Sequence, residues 1–117
     1  MKKVYCDISA TTPIDHEVLE FMADIDKKYF GNPSSIHKYG QESHAVIEKS
    51  RIQVAEALSC QAEEIIFTGS GTEANNIAIQ GLIHAGDHII SSSYEHPSVL
   101  KVLQELERDK VTVTYIK

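Results

Sequence analysis

The feature that most constrains the fold is an alternation of short apolar runs and helix-patterned segments between residues 64 and 116. Runs rich in β-branched residues predict three strands, at Glu64–Thr68, Asp87–Ser92 and Val111–Ile116. The intervening segments predict two helices, one over Thr72–Ala85 that ends at Gly86 and one led by Pro97. Strands that alternate with helices form crossover units, which pair strands in parallel. The sequence therefore predicts an α/β fold with a mainly parallel sheet.

The first 60 residues are predicted to be mainly helical. Lys3–Cys6 predicts a short strand, and a helix opens at Pro13, where Asp15 can cap the first amides. Gly31–Ser35 combines several turn-forming residue types and predicts a loop. A second helix is expected from about Gln41 to Leu58, because apolar residues recur there at helical spacing.

Charge and composition argue against several classes of function. The chain has 17 acidic and 11 basic side chains, for a net charge of −6. No stripe of lysine or arginine is present, so we expect no nucleic-acid partner. No stretch is apolar enough for a membrane span and no leader follows Met1, so we expect no membrane partner. The two cysteines, Cys6 and Cys60, lack metal-type spacing and fit a reducing cytoplasm.

The strongest local motif is Thr68–Glu73, which joins a predicted strand to a predicted helix. Glycines in such a segment free the backbone for a tight turn and for close approach of a ligand. The helix start offers unpaired amides and the positive end of the helix dipole, which suit a phosphate. The simpler interpretation is a glycine turn followed by a Thr72 cap.

The same glycines also fit a different ligand. Gly69 and Gly71, with Ala74, match a dinucleotide-binding fingerprint, and Glu95 lies about 20 residues further on, where a ribose-binding acid is expected. The local sequence pattern therefore predicts a phosphate site at a helix start but does not identify the cofactor.

His96 is the second candidate site residue. It follows the predicted strand Asp87–Ser92, and ligands in open α/β sheets bind beyond the carboxyl ends of strands. Its ring can stack, donate, accept and titrate near neutral pH. The alternative is an ordinary surface histidine before a helix that starts with proline. No metal site is predicted, because Gly86 breaks the helix that would pair His84 with His88.

Four segments, in order, resemble motifs of one enzyme family. Tyr5–Pro13 resembles Y-L-D-x-x-A-T-T-P, and Gly31–His37 resembles G-N-P-S-S-x-H. Phe67–Ile79 resembles F-T-S-G-A-T-E-x-N-N-x-A-I, and His88–Leu100 resembles H-I-I-T-x-x-x-E-H-x-A-V-L. These are motifs of cysteine desulfurases of the iron–sulfur-cluster type, and they cover nearly the whole chain.

The resemblance implies a class-V aminotransferase-like enzyme of fold type I that uses pyridoxal 5'-phosphate. It implies that Gly71 and Thr72 hold the cofactor phosphate, and that His96 stacks on the pyridine ring and assists proton transfer. It also implies L-cysteine as substrate, a homodimer and an iron–sulfur scaffold protein as partner. The expected architecture is the N-terminal part of a three-layer transferase fold.

Two differences from the family motifs concern the site. Gly71 stands where alanine is common, and Gly69-Ser70 inverts the usual Ser-Gly order. Cys6 stands where leucine is usual, and it does not match the nucleophilic cysteine of the family.

The family chain is several times longer than this one, so the chain is expected to be one incomplete domain. Residues 1–60 would form an N-terminal arm with helices, and residues 61–117 the cofactor-binding segment. The family's Schiff-base lysine, its aspartate partner of the pyridine nitrogen and its nucleophilic cysteine belong to later segments. We therefore expect no turnover from these 117 residues alone. A nicotinamide-dinucleotide-binding module and a non-catalytic partner-binding fragment are the alternative functions.

The resemblance also predicts that the first two strands of the alternating segment are not neighbours, while the second and third pair. Bare strand edges recruit other chains, so the isolated chain is expected to form a swapped oligomer, to aggregate, or to pair its first strand locally.

Overall fold

The computed structural model describes residues 3–117. These form two compact units, of which the first ends at Ile65 and the second begins at Ile66. The two units are described separately below. Whether the chain is one incomplete domain divided near residue 60 stays a prediction.

The first unit contains two helices, α1 (His16–Lys28) and α2 (Lys38–Leu58). The predicted cap of α1 is confirmed, because the Asp15 Oδ1 atom accepts a hydrogen bond of 2.8 Å from the Glu17 amide. The predicted strand at Lys3–Cys6 is wrong, since these residues have no regular secondary structure. A strand needs the hydrogen bonds of a neighbouring strand, and the described residues of the first unit form no strand that could supply them.

Helix α2 begins three residues earlier than the sequence predicted, so Gly40 lies inside its first turn. The loop before the helix packs closely on this turn. A Cβ atom added to Gly40 would lie 2.6 Å from the Asn32 carbonyl oxygen. The buried Ser43 hydroxyl donates a 3.0 Å hydrogen bond to the Tyr29 carbonyl, which ties the end of α1 to α2. Gly40 is therefore required for close approach of two backbone segments.

The strand predicted at Glu64–Thr68 is also wrong. Ala62–Glu64 form a 3₁₀ turn, and residues 65–68 have no regular secondary structure. Ile66 is 69% exposed and Phe67 is 48% exposed, although both have strand-forming side chains. Local propensity is overridden because no strand in the described chain pairs with this segment.

The second unit contains α3 (Gly71–Leu82), β1 (His88–Ser92), α4 (Pro97–Arg108) and β2 (Thr112–Ile116). The two strands pair in parallel, with His88 opposite Thr112 and Ser92 opposite Ile116. This confirms the α/β class and the predicted pairing of the last two strands. The core of the unit is a cluster from both helices and both strands: Ile79, Ile83, Ile89, Val102, Leu106, Val111 and Val113.

The sequence predicted that Gly86 ends α3, and this prediction is wrong. The helix ends three residues before Ala85, at Leu82, and Gly86 lies in the turn that leads into β1. Its φ angle is 96°, a left-handed conformation that favours glycine, and its amide donates to the Lys110 carbonyl at 3.0 Å. Gly86 therefore aligns the start of β1 with the segment before β2.

Two further observations concern membrane-spanning helices and the two cysteines. No helix among residues 3–117 is long and apolar enough to cross a membrane. Both cysteines are free thiols, and Cys6 is exposed rather than buried.

A pair of glycine substitutions tests the close packing at Gly40. Gly40→Ala should destabilise the chain by about 1–3 kcal/mol, because the added methyl group meets backbone atoms that cannot move independently. Gly81→Ala is the matched control, since Gly81 is also helical and an added Cβ there meets nothing within 4 Å. It should stabilise the chain by up to about 1 kcal/mol. Urea unfolding measures both, and equal effects of the two substitutions would contradict this account.

The buried position of the Tyr115 hydroxyl predicts that the folded chain becomes less stable at alkaline pH. Its hydroxyl is buried near the Glu107 carboxylate. Burial, and secondarily the nearby Glu107 carboxylate, raise the pKa of Tyr115 above its ordinary value of 10.0. The phenol ionises more readily in the unfolded chain, so the free energy of unfolding should fall as pH rises above about 10. Tyr115→Phe should lose this contribution to the pH dependence, and an unchanged alkaline profile in the variant would contradict the assignment.

Candidate functional site

A cavity of about 320 Å³ lies in the second unit, between the N-terminal half of α3 and α4. It is lined by Thr72, Asn76, His96, Pro97, Ser98, Lys101, Val102 and Glu105. Two of the predicted site residues, Thr72 and His96, therefore face the same cavity. The third, Gly71, is the first residue of α3 and adjoins Thr72.

Ser70, not Thr72, caps α3. The Ser70 Oγ atom accepts a 3.2 Å hydrogen bond from the Glu73 amide, and the Glu73 carboxylate accepts one of 2.7 Å from the Gly69 amide. The simpler interpretation of the motif, in which Thr72 serves as the cap, is therefore wrong. Because Ser70 supplies the cap, the Thr72 hydroxyl has no partner among residues 3–117 and stays available to a ligand.

The start of α3 keeps donors free. Within the described part of the chain, no hydrogen bond from the Gly71 or Thr72 amide to a protein group is found. Unpaired amides at a helix start, together with the helix dipole, attract anions. The space beside them is open, because a Cβ atom added to Gly71 would meet nothing within 4 Å.

One of the two expected reasons for the glycines, the conformation of a tight turn, is wrong, while the close approach of a ligand stays a prediction. Neither Gly69 nor Gly71 has a positive φ angle, so the turn does not require glycine for its conformation. The alanine that is common in the family at position 71 would fit here without a clash. The departure at Gly71 thus leaves the backbone geometry of the site unchanged.

His96 is built into the start of α4. Its Nδ1 atom accepts a 3.1 Å hydrogen bond from the Ser98 amide, which makes His96 the helix cap. The same nitrogen lies 2.8 Å from the Ser98 hydroxyl oxygen. The Asn75 side-chain amide donates to that oxygen, also at 2.8 Å. The ring of His96 is therefore connected through Ser98 to α3, although His96 is exposed and precedes a helix that starts with proline, as the alternative interpretation expects.

Sequence reasoning missed Asn75 and Ser98. Their spacing provides a signal in retrospect. Asn75 lies one helical turn after Gly71, and Ser98 lies two residues after a residue that can cap a helix. The contact between them spans 23 residues of chain and depends on tertiary packing.

The cavity also contains charges that the motifs did not identify. Lys101 and Glu105 lie four residues apart on α4 and both line it. Glu95, the candidate ribose-binding acid, lines a different, apolar groove together with Ile90 and Tyr94. The dinucleotide interpretation therefore lacks its acid beside Thr72. Among the described residues, no cluster of histidine, cysteine and acidic side chains could hold a metal ion.

These residues fit the phosphate and ring of pyridoxal phosphate. The free amides and the Thr72 hydroxyl are donors for a phosphate, and the Lys101 and Glu105 side chains line the same cavity with opposite charges. His96 supplies an aromatic face in the same cavity. The volume of about 320 Å³ is within the range of small-molecule sites.

The chain was compared with known proteins. It is 45% identical to "Cysteine desulfurase IscS" of Dictyoglomus turgidum over 119 residues, which covers 98% of this chain and 30% of that protein. A solved structure described as a NifS-like protein superposes with a TM-score of 0.87 at 33% identity, covering 98% of this chain and 33% of the other. A structure of SspA in complex with cysteine gives a TM-score of 0.86 at 36% identity, covering 96% and 33%.

The chain thus spans about 30% of the length of the curated relative described above. One of these solved structures is described as a NifS-like protein, and it superposes on almost the whole chain, so the predicted fold, part of a PLP-dependent transferase fold, is confirmed. The family profile for class-V aminotransferases matches residues 4–117. Because this match covers almost the whole sequence, the chain belongs to the class-V aminotransferase family, among homologues of the cysteine desulfurases.

Proposed function

We propose that this chain is the N-terminal segment of a pyridoxal-phosphate-dependent cysteine desulfurase that takes sulfur from L-cysteine for iron–sulfur cluster assembly. The single observation that carries the proposal is the cavity shared by Thr72 and His96, beside the free amides that open α3. The similarity of the whole chain to proteins described as cysteine desulfurases supports it.

In this proposal each residue has a defined part. The amides of Gly71 and Thr72, with the Thr72 hydroxyl, bind the cofactor phosphate. His96 stacks on the pyridine ring and holds or moves a proton at its free nitrogen. The bound cofactor supplies an electron sink, which the protein only orients and tunes.

The remaining functional groups are expected outside this chain. The Schiff-base lysine and the nucleophilic cysteine would lie in the part of the relatives that these 117 residues do not match. We propose a homodimer, an iron–sulfur scaffold protein as acceptor and a cytoplasmic location for the whole enzyme. The chain alone is expected to bind the cofactor without turning over cysteine.

Two alternatives are weaker. A nicotinamide-binding module needs an acid at the ribose, and Glu95 lines a groove that does not include Thr72. A non-catalytic partner-binding fragment would not need free donors beside His96. Both alternatives predict no phosphate-dependent binding of pyridoxal at this cavity.

Binding of pyridoxal phosphate tests the proposal. The chain should bind it weakly and reversibly, as followed by visible absorbance. Thr72→Ala removes one charge-assisted donor and should weaken binding by about 1–3 kcal/mol, or roughly 5- to 150-fold. Thr112→Ala, which removes an exposed hydroxyl from β2, is the matched control and should bind like the unmodified chain.

Borohydride treatment tests whether the binding is non-covalent. Mass spectrometry after reduction should show no stoichiometric label on the protein. One label per chain at Lys101, the lysine among the residues that line the cavity, would show an aldimine link and contradict non-covalent binding. Equal binding by the unmodified chain and Thr72→Ala would remove Thr72 from the site. A fluorescence change with NADH, and none with pyridoxal phosphate, would favour the dinucleotide alternative.

A further inference from the structure

A chain of three side chains crosses from α3 to α4 at the edge of the cavity. The Asn75 Nδ2 atom lies 2.8 Å from the Ser98 Oγ atom, and that oxygen lies 2.8 Å from the Nδ1 atom of His96. Ser98 is 8% exposed, so water competes little for its hydroxyl. His96 itself is exposed and lines the cavity. The buried part of the network therefore holds the exposed ring.

The direction of the hydrogen bonds follows from the atoms involved. The side-chain nitrogen of Asn75 can only donate, so the Ser98 oxygen is the acceptor of that bond. The hydroxyl of Ser98 has one proton and lies 2.8 Å from Nδ1 of His96, so it can donate to that nitrogen when the nitrogen carries no proton.

A second donor points at the same ring nitrogen. The Ser98 backbone amide donates to Nδ1 at 3.1 Å as the cap of α4. A proton on Nδ1 would oppose this amide and remove the cap. Two donors thus keep Nδ1 free of a proton, so the proton of the neutral ring is on Nε2, for which no protein partner is found among residues 3–117.

We propose that Asn75 and Ser98 are positioning residues that fix the tautomer and the rotation of His96. They leave Nε2–H as the ring group that can exchange a proton with a bound ligand. The role toward the cofactor rests on the function proposed above, whereas the tautomer is a property of the chain itself. Ser98 stands where the resembling motif E-H-x-A-V-L has alanine, so the hydroxyl in this network departs from that motif.

The tautomer can be read directly from the chain without any ligand. Long-range ¹H–¹⁵N NMR spectra of the labelled protein, recorded where imidazole is neutral, distinguish an acceptor nitrogen from a protonated one. His96→Gln identifies the His96 signals among those of the six histidines. The unmodified chain should show one dominant form of His96, with Nδ1 as acceptor and Nε2 protonated. A mixture of tautomers in the unmodified chain would overturn the proposal.

Asn75→Asp tests the direction of the network. A carboxylate at this position accepts a hydrogen bond from the Ser98 hydroxyl and leaves the serine oxygen to accept from the ring. The His96 spectrum should therefore shift toward forms with a proton on Nδ1. Gln80→Glu is the matched control, since it makes the same change from amide to carboxylate on the same helix, at an exposed residue that is not among those lining the cavity. The control should shift the His96 tautomer less.

Ser98→Ala is the second variant, and it should turn the single tautomer into a mixture. The proposal fails if His96 keeps its tautomer in both Asn75→Asp and Ser98→Ala, or if Gln80→Glu has the same effect as Asn75→Asp. The unmodified chain gives a decisive result even if a variant does not fold. A failure to bind pyridoxal phosphate with an intact His96 tautomer would contradict the proposed function alone, so the two failures are distinguishable.

Discussion

The packing of α3 against α4 is the interaction on which the candidate site depends. Ile79 and Ile83, in and just after α3, pack against Val102 and Leu106 of α4, with Val111 completing the buried cluster. This apolar contact keeps the two helices side by side, so their first turns share one cavity. The parallel pairing of β1 with β2 supports the same cluster from the strands, through Ile89 and Val113. The cavity is thus a consequence of core packing.

The capping of the two helices determines which groups remain for a ligand. Ser70 and Glu73 satisfy donors at the start of α3 and leave the Gly71 and Thr72 amides free. At the start of α4, His96 is itself the cap, and its Nδ1 atom can accept the cap hydrogen bond only while that nitrogen carries no proton. Because the Nδ1 atom of His96 caps the helix, the Nε2 atom is the ring nitrogen left to interact with a ligand. This coupling links the local stability of α4 to the candidate function.

The sequence predicted those parts that local interactions determine. Asp15 and Pro97 identified the starts of α1 and α4, since a cap or a fixed φ angle acts within one turn. The strand predicted at Glu64–Thr68 did not form, because a strand depends on a partner that propensity cannot supply. Thr72 and His96 were found from motifs, while the bond between Asn75 and Ser98 depends on tertiary packing and was missed. The glycines were expected to allow a tight turn, and this part was wrong because φ angles cannot be read from residue type alone.

In the proposed function, the free amides at the start of α3 bind the phosphate of the cofactor. Amide ¹H–¹⁵N spectra of the chain, titrated in parallel with pyridoxal phosphate and with pyridoxal, test this binding most directly. The amide signals of Gly71 and Thr72 should move with pyridoxal phosphate and stay in place with pyridoxal. Equal shifts with both compounds, or shifts confined to the apolar groove around Ile90 and Tyr94, would contradict it.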